Sequence, residues 1–546
     1  MLPQKLRLGL AIFLTFAISL FQPPLLLAEP SPVKCTVILD KPSSGPETLS
    51  LLGSNLGFAA SRNSLTLQQL INLLTNNPTF HLDMCGFGFY AESMIVPQMS
   101  PLPAEDLYLP GSIATKTTLK SNGITTDYKS VFKLHSNPGS KKTIYLDFDG
   151  EKIENTAWNK NFNNGATWNA SGFSQDADFS KFSESELDVI QSVWQRVAED
   201  FSPFDVDVTT ELPAIGALER TNASDNIFGT RALISNDTII FNACKCSGLA
   251  YVGVFDDIGN LHDINQPAWI FTQGVGDNPK YIAEAATHEV GHTLGLSHDG
   301  SKTATYFPGI NGWAPIMGVG FYQPITQWSK GEYVDANNPE DDLQIIYSHG
   351  LTLRPDEDEN TEKTARIIKE NEALGGVIAT SKDADYFSFT SLSTSEFTIE
   401  ANTATLSPDL DIKLTIYPAN KPSNKTVINP PLTVVSTDII EGLSVKSSMV
   451  LTKGVLYLIM LEGSSVPLNT SSTESSYGSI GTYKLSIKKG KVVNGASSES
   501  TNGKTDDKSL PDKLVLPQPS NSPAPLELPD KLKFQLRNGN RDLIAI

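Results

Sequence analysis

Apolar and polar residues alternate in several short runs along the middle of this chain. Alternation over Lys142–Phe148 and Asp205–Thr210 predicts strands, because successive side chains of a strand point to opposite faces of its sheet. Further strands are predicted over Ala232–Phe241, Gly248–Phe255 and Trp269–Thr272. Between the first two strands, a capping box at Ser183–Glu186 opens an amphipathic helix whose apolar residues recur at helical spacing: Leu187, Ile190, Val193, Trp194, Val197 and Phe201.

A second long helix is predicted from Asn278, with sheet-facing side chains at Ile282, Ala285, Ala286 and Val290. The segment from Trp158 to Asp178 is rich in Asn, Gly, Ser and Asp and is predicted to be a surface loop. A closing helix is expected around Asp342. Strands and helices in this order predict an α+β fold for residues 139–352.

The C-terminal part of the chain has a different pattern, made of short alternating runs separated by polar turns. Such runs predict a β-sandwich over residues 356–489, with strands at Phe397–Ile399, Ile412–Tyr417, Val455–Leu461 and Tyr483–Ile487. Residues 490–546 are rich in Ser, Asn, Pro and Lys and are predicted to be a disordered tail.

The N-terminal 28 residues have the pattern of a signal peptide. Lys5 and Arg7 precede an apolar run from Leu8 to Phe21, and a small residue, Ala28, ends the segment. The run is short for a membrane span, which needs roughly 20 residues, and an uncleaved anchor is the alternative. Residues 29–138 are then expected to form a separate N-terminal unit with a leucine-rich helix over Ser64–Leu74.

Composition narrows the choice of partners and compartment. The net charge of −19 over 546 residues argues against binding to nucleic acid. No segment after the signal peptide is apolar enough for a stable membrane span, so a secreted, periplasmic or cell-surface location is expected. The chain has four cysteines. For Cys244 and Cys246, disulfide bonding is favoured over metal binding because no further ligands lie nearby in the sequence.

The strongest chemical signal is His288-Glu289-x-x-His292-x-x-Gly295-x-x-His298. On a helix, His288 and His292 lie on one face and point at one spot. Gly295 has no Cβ, so it is suited to a left-handed turn that ends the helix and brings His298 back to the same spot. Three imidazoles with one open position predict a catalytic zinc site, whereas a structural site would have a fourth protein ligand.

The motif also predicts a reaction. Zinc lowers the pKa of a bound water to about 7, and Glu289, beside the first ligand, is suited to take its proton as general base. The alternative to a zinc site is a buried helix whose histidines are unrelated to one another and bind no metal. The chain has only seven histidines, and the correct spacing of the glycine and third histidine argues against coincidence.

This extended motif resembles that of the metzincin clan of zinc metalloproteases, over about Lys141 to Gly350. The resemblance implies a twisted mixed sheet with an active-site helix, and a Met-turn beneath the zinc at Met317. Astacins and serralysins have a tyrosine two residues past this methionine that can act as an extra ligand. Here that position is Val319, whose side chain does not fit the role of an extra zinc ligand. Tyr322 lies five residues past Met317 and so does not match the position of that tyrosine.

The resemblance further implies that an antiparallel edge strand binds extended substrate through main-chain hydrogen bonds. The candidate substrate edge strand includes Gly248, Leu249, Ala250 and Tyr251.

A Cys-Gly pair upstream, at Cys85-Gly86, is similar to the cysteine switch of several metzincin propeptides. A thiolate from Cys85 would occupy the open zinc position and keep a zymogen inactive, with residues 29–138 as the propeptide. The alternative is a structural disulfide between Cys85 and Cys35.

The C-terminal pattern Asp383-x-Asp385-Tyr386-Phe387, with Gly481-Thr482-Tyr483-x-Leu485, resembles bacterial pre-peptidase C-terminal domains. Calcium at Asp383 and Asp385 is a second candidate cofactor, although two aspartates in a turn are more often solvated.

The sequence therefore predicts a secreted zinc endopeptidase, made as a zymogen, that acts on proteins or peptides. Two other functions remain open. One is an adhesion or binding protein with a relic protease domain, although Glu289 and all three histidines are retained. The other is a zinc hydrolase that acts on a non-peptide amide.

Overall fold

The computed structural model describes residues 35–92, 128–356, 361–420, 427–428, 431–436, 442–468 and 474–492. These residues all belong to one compact unit, Met1–Val493. The predicted signal peptide and residues 493–546 of the predicted tail lie outside the described residues, whereas residues 490–492 of that tail belong to a strand that ends at Val492.

Residues 35–92 form a small N-terminal unit of helices and strands. Thr66 caps its longest helix, and Gln69 completes a capping box. Buried leucines, among them Leu52, Leu70 and Leu74, form its own core. Its elements are β1 (Ser43–Ser44), α1 (Glu47–Leu52), α2 (Leu56–Arg62), α3 (Leu67–Asn76), β2 (Phe80–Leu82) and β3 (Gly88–Ala91).

The middle region combines a mixed sheet with two long helices. The predicted capping box at Ser183 opens the first of these helices, and Asn278 caps the second. The elements are β4 (Lys142–Asp147), β5 (Gly150–Ile153), α4 (Ala157–Phe162), β6 (Trp168–Ser171), α5 (Glu184–Asp200), β7 (Asp207–Thr209), β8 (Phe228–Ser235), α6 (Ile239–Cys244), β9 (Gly248–Tyr251), α7 (Asn260–Ile264), β10 (Ala268–Phe271), α8 (Thr272–Val275), α9 (Pro279–Thr293), β11 (Trp313–Pro315), β12 (Ile325–Gln327) and α10 (Asp342–Ser348).

One eight-stranded sheet joins the N-terminal unit to the middle region, in the order β1-β2-β3-β9-β10-β8-β4-β7. Strands β10, β8, β4 and β7 are parallel neighbours, whereas β9 is antiparallel to both β10 and β3. Helices α5 and α9 share a core with this sheet, through side chains such as Val193, Val290 and Ile234. The α+β class is confirmed.

Two local predictions are wrong. The strand predicted over Ala232–Phe241 ends at Ser235, and helix α6 begins at Ile239. The helix starts there because the Asp237 side chain accepts hydrogen bonds from the amides of Ile239 and Ile240. The predicted loop from Trp158 to Asp178 contains most of α4 and all of β6. Thr156 caps α4 with Asn159 in a capping box.

The C-terminal region is rich in strands, as predicted. One sheet has the order β13-β15-β21-β17-β18, and β19 also pairs with β17. The other sheet has the order β14-β24-β16-β20. Their facing side chains form one core, which includes Phe387, Phe397 and Ile459. The strands are β13 (Arg366–Ile367), β14 (Ala373–Ile378), β15 (Ala384–Thr390), β16 (Ser395–Thr403), β17 (Ile412–Asn420), β18 (Val427–Ile428), β19 (Thr433–Ser436), β20 (Val445–Leu451), β21 (Leu456–Gly463), β22 (Val466–Pro467), β23 (Glu474–Ser475) and β24 (Gly481–Val492).

All four cysteines form disulfides, Cys35–Cys85 and Cys244–Cys246. Disulfides persist in oxidising compartments, so these two bonds fit an extracellular protein. Within the described part of the chain, no helix combines the length and apolar character that a membrane crossing needs.

Candidate metal centre

Helix α9 positions two of the three predicted ligands, His288 and His292. Pro279 occupies its first turn, where a missing N–H costs nothing, and the helix ends after Thr293. Gly295 then adopts a φ of +91°, as the sequence predicts. A Cβ at Gly295 would lie 2.6 Å from His349 Nε2, so the turn requires glycine for space as well as for conformation.

The structure brings the three predicted histidines together. Ring centroids of His288, His292 and His298 lie 4.8 to 5.3 Å apart, and all three side chains are buried. His288 Nδ1 lies 3.0 Å from the Ile316 carbonyl oxygen, and His292 Nδ1 lies 2.8 Å from that of Leu296. A carbonyl oxygen only accepts, so each of these Nδ1 atoms carries a proton, and the Nε2 atom of a neutral ring in this tautomer can bind a metal.

These nitrogens form a donor set that suits a cation. His292 Nε2 and His298 Nε2 are 3.1 Å apart. Burial lowers the pKa of His288 to about 3 and also lowers the pKa of His298, which favours the neutral form of these two rings, as metal ligation requires. Two Nε2 lone pairs at this distance would repel each other unless a proton or a metal cation lay between them.

A fourth residue completes this group, and the sequence analysis missed it. Glu92, directly after β3, places Oε1 2.9 Å from His298 Nε2 and 3.1 Å from His292 Nε2, and Oε2 3.9 Å from His288 Nε2. Glu92 and the three histidines together form a candidate metal-binding group. Burial disfavours the Glu92 carboxylate, but interactions with His298 and His292 hold its pKa well below its usual range.

Tyr306 is the second residue that sequence reasoning did not identify. Its hydroxyl donates a hydrogen bond to Glu92 Oε2. Its ring lies 4.6 Å from the ring of His298. Burial, followed by the charge of Glu92, raises the pKa of Tyr306 well above its usual value, so the phenol remains a neutral donor.

Glu289 lies beneath strand β9, with both carboxylate oxygens buried and without a hydrogen-bond partner among the described residues. Burial, followed by the nearby charge of Glu92, raises the pKa of Glu289 well above its usual value. A Cβ at Gly248 would lie 1.8 Å from Glu289 Oε1. The absent side chain of Gly248 therefore provides the space that the carboxylate fills.

Met317 is buried against α9. A Cβ at Gly291, between His288 and His292, would lie 2.6 Å from Met317 Sδ. The Met317 carbonyl accepts a hydrogen bond from Asp299 N, which ties this turn to the residue after the third histidine.

Cys85 does not lie in this group, so its predicted role as a zinc ligand in the zymogen is contradicted. Its sulfur is bonded to Cys35, the alternative that the sequence left open. The Asp83 carboxylate accepts hydrogen bonds from the amides of Cys85 and Phe87. This turn keeps the cysteine away from the histidines, and the chain reaches them only after β3, at Glu92.

The predicted substrate edge strand is not an edge in this structure. Strand β9 (Gly248, Leu249, Ala250 and Tyr251) pairs with β10 on one side and with β3 on the other. The pairing continues past β3, because Glu92 N donates to Gly248 O and Ser247 N donates to Glu92 O.

A second candidate group of metal ligands contains Asp356 with the two predicted aspartates, Asp383 and Asp385. Asp383 Oδ2 accepts a hydrogen bond from Ala379 N, and Asp385 Oδ2 accepts one from the Tyr483 hydroxyl. These carboxylates therefore have structural contacts of their own, and calcium binding stays a prediction.

No family model and no curated protein matches the chain. Among solved structures, the pre-peptidase C-terminal domain of collagenase from Bacillus anthracis is 15% identical, covering 25% of this chain and 98% of that one, with a TM-score of 0.16. PliG from Aeromonas hydrophila, a periplasmic lysozyme inhibitor, is 10% identical, covering 23% and 99%, with a TM-score of 0.16. At such TM-scores neither likeness assigns a fold or an activity.

Proposed function

We propose that this chain is a secreted zinc-dependent endopeptidase with a metzincin-like catalytic domain, made as an inactive precursor. His288, His292 and His298 would hold the zinc, and Glu289 would act as general base. Residues 29–138 would form the propeptide, and the β-sandwich would be an accessory domain like the pre-peptidase C-terminal domains. Its substrates would be proteins or peptides outside the cell.

One observation carries this proposal. The three buried imidazoles converge on one point, with Nδ1 of His288 and of His292 held by carbonyl oxygens, and a buried carboxylate, that of Glu289, follows His288 on the same helix. Three nitrogen ligands of this kind are typical of zinc hydrolases. The zinc would lower the pKa of a bound water to about 7 and polarise the scissile carbonyl.

The side chains of the protein have distinct tasks in this reaction. Glu289 accepts a proton from the attacking water and then donates it to the leaving amine. The carbonyls of Ile316 and Leu296 fix the rings of His288 and His292 by accepting their Nδ1 protons.

Substrate would bind as an extended strand on β9. Its main chain would take the position that β3 holds in this structure, and its carbonyl would then lie beside the three histidines. The absent side chain of Gly248 keeps Glu289 close to that carbonyl.

A rival function has its own support. Three histidines and one glutamate make a closed set of four protein ligands, which is the pattern of a structural metal site. If Glu92 stays in place for the life of the protein, the chain is a secreted binding protein with a structural metal. A zinc hydrolase of non-peptide amides is the remaining alternative.

The test is to measure zinc content and casein cleavage after the connection between Glu92 and Tyr128 has been cut. We expect stoichiometric zinc and cleavage of protein substrates. A Glu289→Gln variant should keep its zinc and lose about 10³-fold or more in kcat, because an amide cannot accept the proton. Full activity in that variant would refute the assigned base. Inactivity of the cut wild-type protein on protein substrates, after its N-terminal fragment has been removed, would favour one of the alternatives.

A further inference from the structure

We propose that β3 and Glu92 form a built-in inhibitor of the metal centre, in which β3 fills the substrate groove and the Glu92 carboxylate closes the fourth metal position. We call residues 88–92 the latch. This inference rests on the proposed function, since it assigns how the precursor is kept inactive.

The first argument is the position of the main chain. The latch lies antiparallel to β9, with Phe89 opposite Tyr251, Tyr90 opposite Ala250 and Ala91 opposite Leu249. The other edge of β9 pairs with β10. An extended substrate therefore cannot pair with β9 until the latch leaves.

The second argument is the direction of the side chains. Residues two apart in a strand point to the same face, so Tyr90 and Glu92 both point toward the histidines. The Tyr90 ring lies 4.3 Å from the rings of His292 and His298. Glu92 reaches the Nε2 atoms directly. The latch thus covers both the ligand rings and the atoms that would bind metal.

The third argument is that both oxygens of Glu92 have partners. Oε1 lies within hydrogen-bonding distance of His292 Nε2 and His298 Nε2, and Oε2 accepts a hydrogen bond from Tyr306. A buried carboxylate with a charge-assisted hydrogen bond is held more firmly than a neutral group would be. Tyr306 therefore positions the latch.

The fourth argument is that the latch can be released. The two disulfides account for all four cysteines, and each joins residues on the same side of the connection between Glu92 and Tyr128. A single cut in that connection would leave the N-terminal unit held by noncovalent contacts alone. One of these is the hydrogen bond of 3.0 Å from the Tyr251 hydroxyl to Asp83.

The test uses the full chain with a site for a sequence-specific protease inserted between Glu92 and Tyr128. Glu92→Gln is compared with Glu47→Gln, which removes the same charge from an exposed position of the N-terminal unit. After the cut, we measure the dissociation constant of the N-terminal fragment, the rate of zinc loss to a chelator and peptidase activity.

Glu92→Gln should weaken fragment binding by about 10- to 100-fold, because it removes the charged partner of Tyr306 and of the metal. Zinc loss should become faster, and activity should appear at lower dilution. Glu47→Gln should behave as the wild type does. Tyr306→Phe removes only one hydroxyl and should also weaken fragment binding. This variant keeps the test decisive if Glu92→Gln does not fold.

Unchanged fragment binding and zinc loss in both Glu92→Gln and Tyr306→Phe would overturn the latch. If the cut wild-type protein cleaves casein but these variants change nothing, the latch fails and the proposed function stands. If fragment binding and zinc loss change as expected but no preparation cleaves a protein substrate, Glu92 is the fourth ligand of a structural metal site, and both the inhibitor and the peptidase function fail.

Discussion

Glu289 can occupy its position only because residue 248 is a glycine, which has no side chain. A Cβ there would approach Glu289 Oε1 to 1.8 Å, far inside van der Waals contact, and the carboxylate belongs to a rigid helix. Since β9 stays paired with β10 after the latch leaves, its backbone remains in place and the carboxylate must move.

We therefore predict that Gly248→Ala lowers kcat of the activated protein by about 10²-fold, since a displacement of about 1 Å can cost that much. Zinc content should stay at the wild-type level, because no histidine is touched. Steady-state kinetics and metal analysis test this, with thermal melting to show that the variant folds. Wild-type kcat would mean that Glu289 lies elsewhere in the active form.

At the scale of single elements, the turn after α9 depends on Gly295. Its left-handed φ is strained for other residues, and an added Cβ would also meet His349. The two effects can be separated, because Gly276 has a φ of +77° but no atom within 4 Å of a Cβ.

We expect Gly295→Ala to reduce zinc affinity by at least about 10-fold, because the turn that carries His298 must shift. Gly276→Ala should cost about 1 kcal/mol of stability from its backbone conformation and leave zinc affinity unchanged. Competition with a zinc chelator, together with denaturant unfolding, distinguishes the two. Equal zinc affinity in both variants would show that the turn tolerates a side chain.

Elements whose signals are local were predictable from the sequence. Helix α5 has its capping box and helix α9 has its capping asparagine. His288 and His292 follow from their spacing on α9, and His298 follows from its place after the turn at Gly295. Glu92 was not predictable, because nothing local distinguishes it from other acidic residues and its pairing with β9 joins distant parts of the chain. Cys85 resembled a ligand only because of the glycine that follows it. Helix α6 was missed because its β-branched isoleucines favour a strand, whereas Asp237 favours a helix start.

At the scale of the molecule, buried acids lie where the middle region meets the β-sandwich. Glu199 on α5 accepts hydrogen bonds from the amide and hydroxyl of Thr482 on β24. Burial raises the pKa of Glu199 to about 7, although the bonds from Thr482 oppose this. Burial also raises the pKa of Asp200 and of Asp409. The contact is therefore most favourable when these groups hold protons.

Stability should consequently fall as the pH rises from about 4.5, the ordinary pKa of a glutamate, to about 7. In this window folded Glu199 holds a proton that the unfolded chain has lost, and the loss amounts to at most about 3 kcal/mol. Glu199→Gln should flatten this part of the profile, measured by denaturant unfolding from pH 5 to 8. Glu396→Gln, at an exposed site on β16, is the control. A slope as steep in Glu199→Gln as in the wild type would assign the effect to other groups.

The Cys35–Cys85 bond also determines which chain breaks matter. It closes a loop with a sequence separation of 50 that includes the exposed turn at Ser64. Damage within that loop leaves both pieces tethered, with Glu92 still continuous with Cys85. Random attack by neighbouring hydrolases would thus be harmless between Cys35 and Cys85, and only scission beyond Cys85 would free the groove. In a reducing medium that protection disappears.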